Sequence, residues 1–375
     1  MSDKSSIAYV ATEEKPQRPA PASTTGVLGW TKENLFATPL NTALTILSFL
    51  FLAWMLPGIV QWAVLDAVWT ADSYRSCLEI SNNGACWAVV GARFDQFIYG
   101  FYPHDLRWRA DLAFVLLCVA LVPLLWDKTP HRGKMMLLSL LYPFVAYMLI
   151  WGDGFIFSEV ESKKLGGFLL TMIIGVSGIA FSLPLGILLA LGRNSDMPFI
   201  KSLCVGFIEF IRGVPLITLL FVASTLLSYF LPRGTNFDII LRVVIMVTLF
   251  ASAYMAEVIR GGLAALPRGQ YEAADALGLD YWQSMRLIIL PQALKISIPG
   301  IVNTFIGLFK DTTLVSVIGL LDPLGLTQSV LADSKWNGTV VELYVFIAAI
   351  FFVFCFAMSR YSMYLERKLS AGDRH

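Results

Sequence analysis

No segment of this chain reads Gly-x-x-x-x-Gly-Lys-Ser/Thr, the loop whose backbone N–H groups cradle nucleotide phosphates, so ATP hydrolysis by that route is not expected of it. Histidine is scarce. His104, His131 and His375 stand apart without companions at metal-ligand spacing, and no metal site is expected. Charge is scarce as well: 15% of the 375 residues are charged, and the net charge is +1, which makes no electrostatic case for nucleic acid. No apolar core closely follows Lys4, so a signal peptide is not expected. Apolar residues, by contrast, make up 57% of the chain, with a mean hydropathy of +0.67, far above a soluble domain. An all-α integral membrane protein is expected.

Apolar runs bounded by charged flanks give about eight transmembrane helices. They are Leu40 to Leu65, Leu112 to Trp126, Met135 to Trp151, Phe168 to Leu191, Leu203 to Leu231, Ile239 to Gly262, Ile298 to Leu320 and Leu343 to Tyr361. Lys4, Lys15, Arg18, Lys32, Lys128, Arg132, Lys134, Arg360, Arg367, Lys368 and Arg374 fall on one side of that arrangement, which predicts cytoplasmic N- and C-termini. Arg107 and Arg109 lie on the other side and count against it. Residues 1–36, rich in Pro and polar groups, are expected to be a disordered tail. Residues 37–165 read as an added three-span unit around a long external loop, residues 166–369 as a five-span core and residues 370–375 as a short tail.

Within the core, residues 263–297 form a long polar connection. After Pro267, Gln270 to Leu277 can form a short helix with Glu272 in its first turn and Gly278 as a left-handed stop. Asp280 and Gln283 make a capping-box pattern for a second helix. Alanines in the first helix leave a narrow face suited to entering a groove on another protein.

The run Glu272-Ala-Ala-Asp-Ala-Leu-Gly278 resembles the coupling-loop motif of ABC importer permeases. The resemblance extends from about Gly166 to Leu369 and includes Glu209-x-x-Arg-Gly-x-Pro215, Ala256-Glu-x-x-Arg-Gly-Gly262, Leu290-Pro-Gln-Ala-Leu294 and Lys310-Asp-Thr-Thr-Leu-x-Ser-Val-Ile-Gly319. Together these resemble the polar-amino-acid branch, with Val214 where that branch usually carries Thr. The external loop from Asp72 to Arg109 resembles one permease subunit of general L-amino-acid transporters. The resemblance implies a translocation subunit of an ATP-driven importer in a bacterial inner membrane. It also implies a separate ABC ATPase dimer that binds ATP and magnesium and pulls on Glu272, Ala273, Ala274 and Gly278. A second homologous permease, a periplasmic amino-acid-binding protein, an L-amino acid substrate and surrounding lipid complete the set.

Charges inside apolar spans cost about 2.5–3.5 kcal/mol on insertion scales and so usually have a partner or a wet cavity. Glu209 with Arg212, and Glu257 with Arg260, sit three residues apart and share helix faces. Lys310, Asp311 and Thr312 fall near the middle of the seventh run. Each set could replace the hydration of a zwitterionic amino acid, or could simply hold helices together. Glu257, beside Ala251, Ser252, Ala253 and Ala256, has small neighbours that would leave room for a guest. Phe351, Phe352 and Phe354 read as lipid or helix contacts.

Cys77 and Cys86 lie in the external loop, where a disulfide would persist; the alternative is two free thiols. Cys118, Cys204 and Cys355 fall in apolar spans and are expected to be buried packing residues. Two other classes stay open at this point. An ion-coupled secondary transporter would use the intramembrane charges as ion sites, and a membrane enzyme would need a nucleophile–base pair or metal cluster that the chain does not display.

Overall fold

The apolar runs fold as helices, and no strand occurs among the described residues. A computed structural model describes residues 26–126, 129–152, 154–226 and 237–371. Most of the expected irregular tail lies outside them, but its last part, Gly26–Leu35, is a helix (α1). Within it the Thr31 hydroxyl donates to the Leu28 carbonyl and the Asn34 amide to that of Trp30.

Contacts divide the chain into two units. The smaller holds α1, α2 (Pro39–Val60) with its wide-turn continuation Gln61–Leu65, and the turn 81–85. Thr38 caps α2 by accepting the Asn41 N–H at 3.1 Å, and Pro39 occupies the first turn, where a missing N–H costs nothing. The continuous stretch Pro39–Leu65 has 27 residues, long enough to cross a bilayer core of about 30 Å.

The larger unit begins with α3 (Tyr74–Ile80), α4 (Ala88–Tyr99), α5 (Arg107–Leu125) and α6 (Arg132–Trp151). The core follows as α7 (Gly167–Arg193), α8 (Pro198–Gly213), α9 (Leu216–Phe221), α10 (Ile239–Ala264), α11 (Arg268–Ala276), α12 (Tyr281–Ser284), α13 (Leu290–Asp311), α14 (Pro323–Leu331) and α15 (Val340–Ala371). Buried Tyr102, Ala113, Leu149 and Ile150 of the α4–α6 region share one core with Leu170, Ile174, Ile240 and Val243 of α7 and α10.

Among the described residues, five helical stretches are long and apolar enough to cross a membrane, and a sixth arises if the bent pair α8–α9 is one span. That pair covers the run expected from Leu203 to Leu231, and it bends at Pro215 as the proline predicts. The helices turn through 102°, because Pro215 forces its predecessor out of the helical region and Val214 is extended at φ −109°, ψ 132°. Residues 227–231 of that run lie outside the described residues. The seventh run differs: helical structure spans Tyr281–Ile318, and after Asp311 it tightens into a 3-10 segment, Thr312–Ile318.

Helices α7 and α10 form the most extensive helix pair, and small residues set their approach. A Cβ on Gly186 would stand 2.6 Å from the Met255 Cβ, and one on Gly262 would stand 2.5 Å from the Ala293 carbonyl of α13, so larger side chains would push the backbones apart. The fold thus has two ends. At one lie the C-termini of α7 and α10 with α11; at the other lie α3, α14 and the start of α7.

Candidate functional site

The polar connection between α10 and α13 is built by local chemistry. Pro267 precedes α11, which ends in a full Schellman arrangement: the Leu279 N–H donates to the Ala274 carbonyl at 3.2 Å and the Gly278 N–H to that of Asp275 at 2.9 Å. Gly278 stands at φ +72°, the left-handed conformation such a stop requires. Asp280 then caps α12 by accepting the Gln283 N–H at 2.8 Å, while the Gln283 side chain accepts the Asp280 N–H at 3.1 Å. Gln292 of α13 donates to Gln270 at 2.9 Å and holds α11 against the body.

The face of α11 differs from the expected one. Ala274 is fully buried against its own chain, whereas Glu272, Ala273 and Gly278 are exposed. The reason is helical phase, since adjacent residues point about 100° apart and cannot both face outward squarely. Exposed apolar groups that sequence reasoning missed complete this surface: Leu277 is 74% exposed and Trp282 68% exposed. The adjacent aromatics Tyr281 and Trp282 just after a cap were the available signal.

Five charged residues meet where α7, α8 and α10 converge near this connection. The Glu257 carboxylate lies 2.7 Å from Arg193 Nη1, 3.1 Å from Arg260 Nη2 and 3.7 Å from Arg212 Nη1. Arg193 Nη1 also donates to Glu209 Oε1 at 2.9 Å. Arg212 in addition lies over the Tyr254 ring, 5.6 Å from its centre. Glu257 is the most sheltered member, with a side chain 17% exposed. The two expected pairs are therefore one network, and Arg193, the last residue of α7, joins them.

Glu257 sits seven residues before the end of α10, roughly 10 Å along the axis, nearer the connection than the middle of the span. The small residues around it are taken up in packing. Ala251, Ser252, Ala253 and Ala256 are all buried in helix contacts, because close packing of α10 is what they permit.

Lys310, Asp311 and Thr312 are not part of this network and are not mid-helix. They lie where α13 gives way to the 3-10 segment, roughly 30 Å from the start of α13. Thr312 is fully buried and donates to the Phe309 carbonyl at 2.7 Å, Asp311 is half-buried and Lys310 exposed. The Phe351 and Phe354 rings pack at a tilt against Phe309, and Phe352 is exposed. No group of three or more metal-ligating side chains occurs among the described residues.

At the opposite end the structure pairs Cys77 with Cys86, Cα to Cα 5.8 Å, both buried. The Cys86 N–H donates to the buried Glu342 carboxylate of α15 at 3.0 Å, the Tyr74 N–H donates to the Lys335 carbonyl at 2.8 Å, and Arg93 pairs with Asp333. The disulfide element is thus fastened to the α14–α15 connection. Of the other cysteines, Cys204 is buried and Cys355 half-buried, but Cys118 is exposed on the uncovered side of α5.

Residues 182–371 match the protein family described as the binding-protein-dependent transport system inner membrane component. The chain is 52% identical to the glutamate/glutamine/aspartate/asparagine transport system permease protein BztC of Rhodobacter capsulatus, over all of both chains. It is 48% identical to the inner membrane amino-acid ABC transporter permease protein YhdY of Escherichia coli, over 95% of this chain and 97% of that one. Among solved structures, an amino acid ABC transporter with histidines is 32% identical over 53% of this chain and 91% of that one, with a TM-score of 0.48.

Proposed function

The chain belongs to the family of inner membrane components of binding-protein-dependent transport systems, and from that premise we propose how its parts work. It is the permease subunit of an amino-acid ABC importer. The finer reading is that α11 docks into a cleft of a separate ATPase dimer, that a second related permease stands beside it, and that a periplasmic binding protein delivers substrate at the disulfide end. Both termini are then cytoplasmic. ATP and magnesium are held by the ATPase, and this chain performs no catalysis. The substrates proposed are amino acids of the acidic and amide class, on the strength of the similarity to BztC, a glutamate/glutamine/aspartate/asparagine permease.

The observation that carries this reading is the surface of the α10–α13 connection. A short helix with a rigid left-handed stop presents Ala273, Leu277 and Trp282 outward beside Glu272, a shape and chemistry suited to a groove on another protein. Next to it, the Arg193–Glu209–Glu257–Arg212–Arg260 network links three helices. Force on α11 reaches α10 and α13 directly, so the network serves as a latch that holds one arrangement of the helices and reforms differently in the other. Substrate would move by alternating access, outward-open with ATP bound and inward-open after hydrolysis.

The test is reconstitution of the whole importer in vesicles with binding protein. Uptake that requires ATP in the compartment facing α11 supports the reading. Uptake driven by an ion gradient without ATP would support the secondary-transporter alternative instead.

A further inference from the structure

A crevice of about 1380 Å³ separates the α5–α6 hairpin from the core. Its walls are apolar, with Leu117 of α5, Ile173 of α7, Val244 of α10 and Ile350 of α15 among them. The hairpin is tied to itself by Ser139 donating to the Ala120 carbonyl and Tyr142 to that of Ala113. It meets α15 where Tyr361 donates to the Leu125 carbonyl at 3.1 Å, and it meets the core at the other end through Tyr102, Leu149 and Ile150. Between those anchorages the gap stays open along the apolar faces of α5 and α7.

The anchorages limit the occupant. A helix that crossed the whole membrane through the gap would have to displace Tyr361 from the Leu125 carbonyl or the Tyr102–Leu149–Ile150 contacts that close its two ends. A small polar solute would find few hydrogen-bond partners along the walls. Linear acyl chains fit both the size and the chemistry.

The rim specifies the headgroup. Lining the crevice at the disulfide end are four carboxylates, Asp111, Glu159, Glu161 and Asp238, against two cations, Lys163 and Arg242. Glu159, Glu161 and Lys163 are exposed, and none of them forms an ion pair among the described residues. The Tyr147–Trp151 stack, 5.2 Å between ring centres, lies in the same lining, and such rings favour the level of lipid headgroups. An excess of negative charge repels an anionic lipid, whereas mixed charge suits a phosphate near Lys163 and an ammonium near the carboxylates.

We propose that this crevice is a binding site for a zwitterionic phospholipid with a primary ammonium headgroup, whose acyl chains complete the packing between the added hairpin and the transport core. The site is separate from the charge network and the docking helix, so the outcome of its test does not depend on the transport mechanism.

The assembled importer is purified from membranes in mild detergent, and retained lipid is identified by native mass spectrometry and extraction. Phosphatidylethanolamine is expected to be retained with each copy of this chain. Ser177→Phe and, separately, Ile173→Trp fill the crevice from α7 and are expected to reduce retention about ten-fold, the change in affinity carried by about two buried methylenes. In nanodiscs with equal phosphatidylethanolamine and phosphatidylglycerol, the ethanolamine lipid is expected to be enriched in the retained fraction. The proposal is overturned by no retained lipid, by unchanged retention in both variants, by no preference or a preference for phosphatidylglycerol, or by a helix of another subunit occupying the crevice in the assembled complex.

Discussion

Arg193, at the C-terminus of α7, places one guanidinium nitrogen 2.7 Å from the Glu257 carboxylate of α10 and 2.9 Å from Glu209 of α8. One side chain therefore ties three helices together beside the helix proposed to receive force from the ATPase. Removing either end leaves like charges facing each other in a partly sheltered place, which costs more than losing an exposed pair.

The first prediction concerns that latch. Arg193→Gln and Glu257→Gln are expected to lower uptake about ten-fold, an effect of about 1.4 kcal/mol, and to raise ATP hydrolysis in the absence of substrate while leaving the complex assembled. Uptake kinetics separate the latch from direct substrate contact. A higher KM in Glu257→Gln with unchanged basal hydrolysis would show that Glu257 holds substrate instead.

A second prediction concerns the disulfide end. With Cys77 and Cys86 joined, alkylation of unreduced, denatured protein should label three cysteines, Cys118, Cys204 and Cys355; labelling of all five would remove the bridge. Cys77→Ser/Cys86→Ser is expected to destabilise by roughly 2–3 kcal/mol for so short a loop, read as a lower unfolding temperature in detergent.

The parts of this molecule written in local chemistry are legible in the sequence. Gly278 as a left-handed stop and Asp280 with Gln283 as a capping box depend on residues within a few positions of one another, and they stand as read. Arg193 is not legible as a site residue in the sequence, because it ends an apolar run and its partners arrive from two other helices. Ala274 looked like a partner-facing residue because composition does not reveal helical phase. Arg109 counts in the sequence against cytoplasmic termini, yet it is 1% exposed and donates to the Leu149 and Ser158 carbonyls. It staples the hairpin to the following loop, and Arg107 pairs with Asp95 at 2.6 Å. Their contrary weight in the charge count has a structural cause.

The third prediction is a pH dependence centred on Asp322, which lies outside the spans and caps α14 by accepting the Gly325 N–H at 2.9 Å. Burial pushes its carboxyl up to about 6, against the lowering effect of the Gly325 and Leu324 N–H groups. The folded state therefore holds this proton more tightly than the unfolded state, whose carboxyl titrates near 4. The resulting stability is fully present below about pH 4 and is lost as pH rises through about 6, an effect on the order of 3 kcal/mol. Asp322→Asn keeps a capping acceptor but cannot titrate. The difference in unfolding temperature between wild type and Asp322→Asn should shift against the wild type from pH 4.5 to 7.5, and a constant difference would refute the assignment.

The last prediction tests coupling itself. At Gly278 no atom lies within 4 Å of where a Cβ would stand, so a substitution there meets no steric neighbour; its only penalty is the backbone at φ +72°. For a β-branched residue that conformation costs on the order of 1–2 kcal/mol, enough to loosen the Schellman stop and let α11 leave its orientation. Gly278→Asn tolerates the same conformation better and serves as the matched control. Gly278→Val should insert at a normal level, because no span contains the change, yet lose its ATPase on purification or lose stimulation of hydrolysis by loaded binding protein. Gly278→Asn should keep most of both. If the valine variant retained its partner and full stimulation, the rigid stop after α11 would not be the point at which ATP-driven motion enters the membrane.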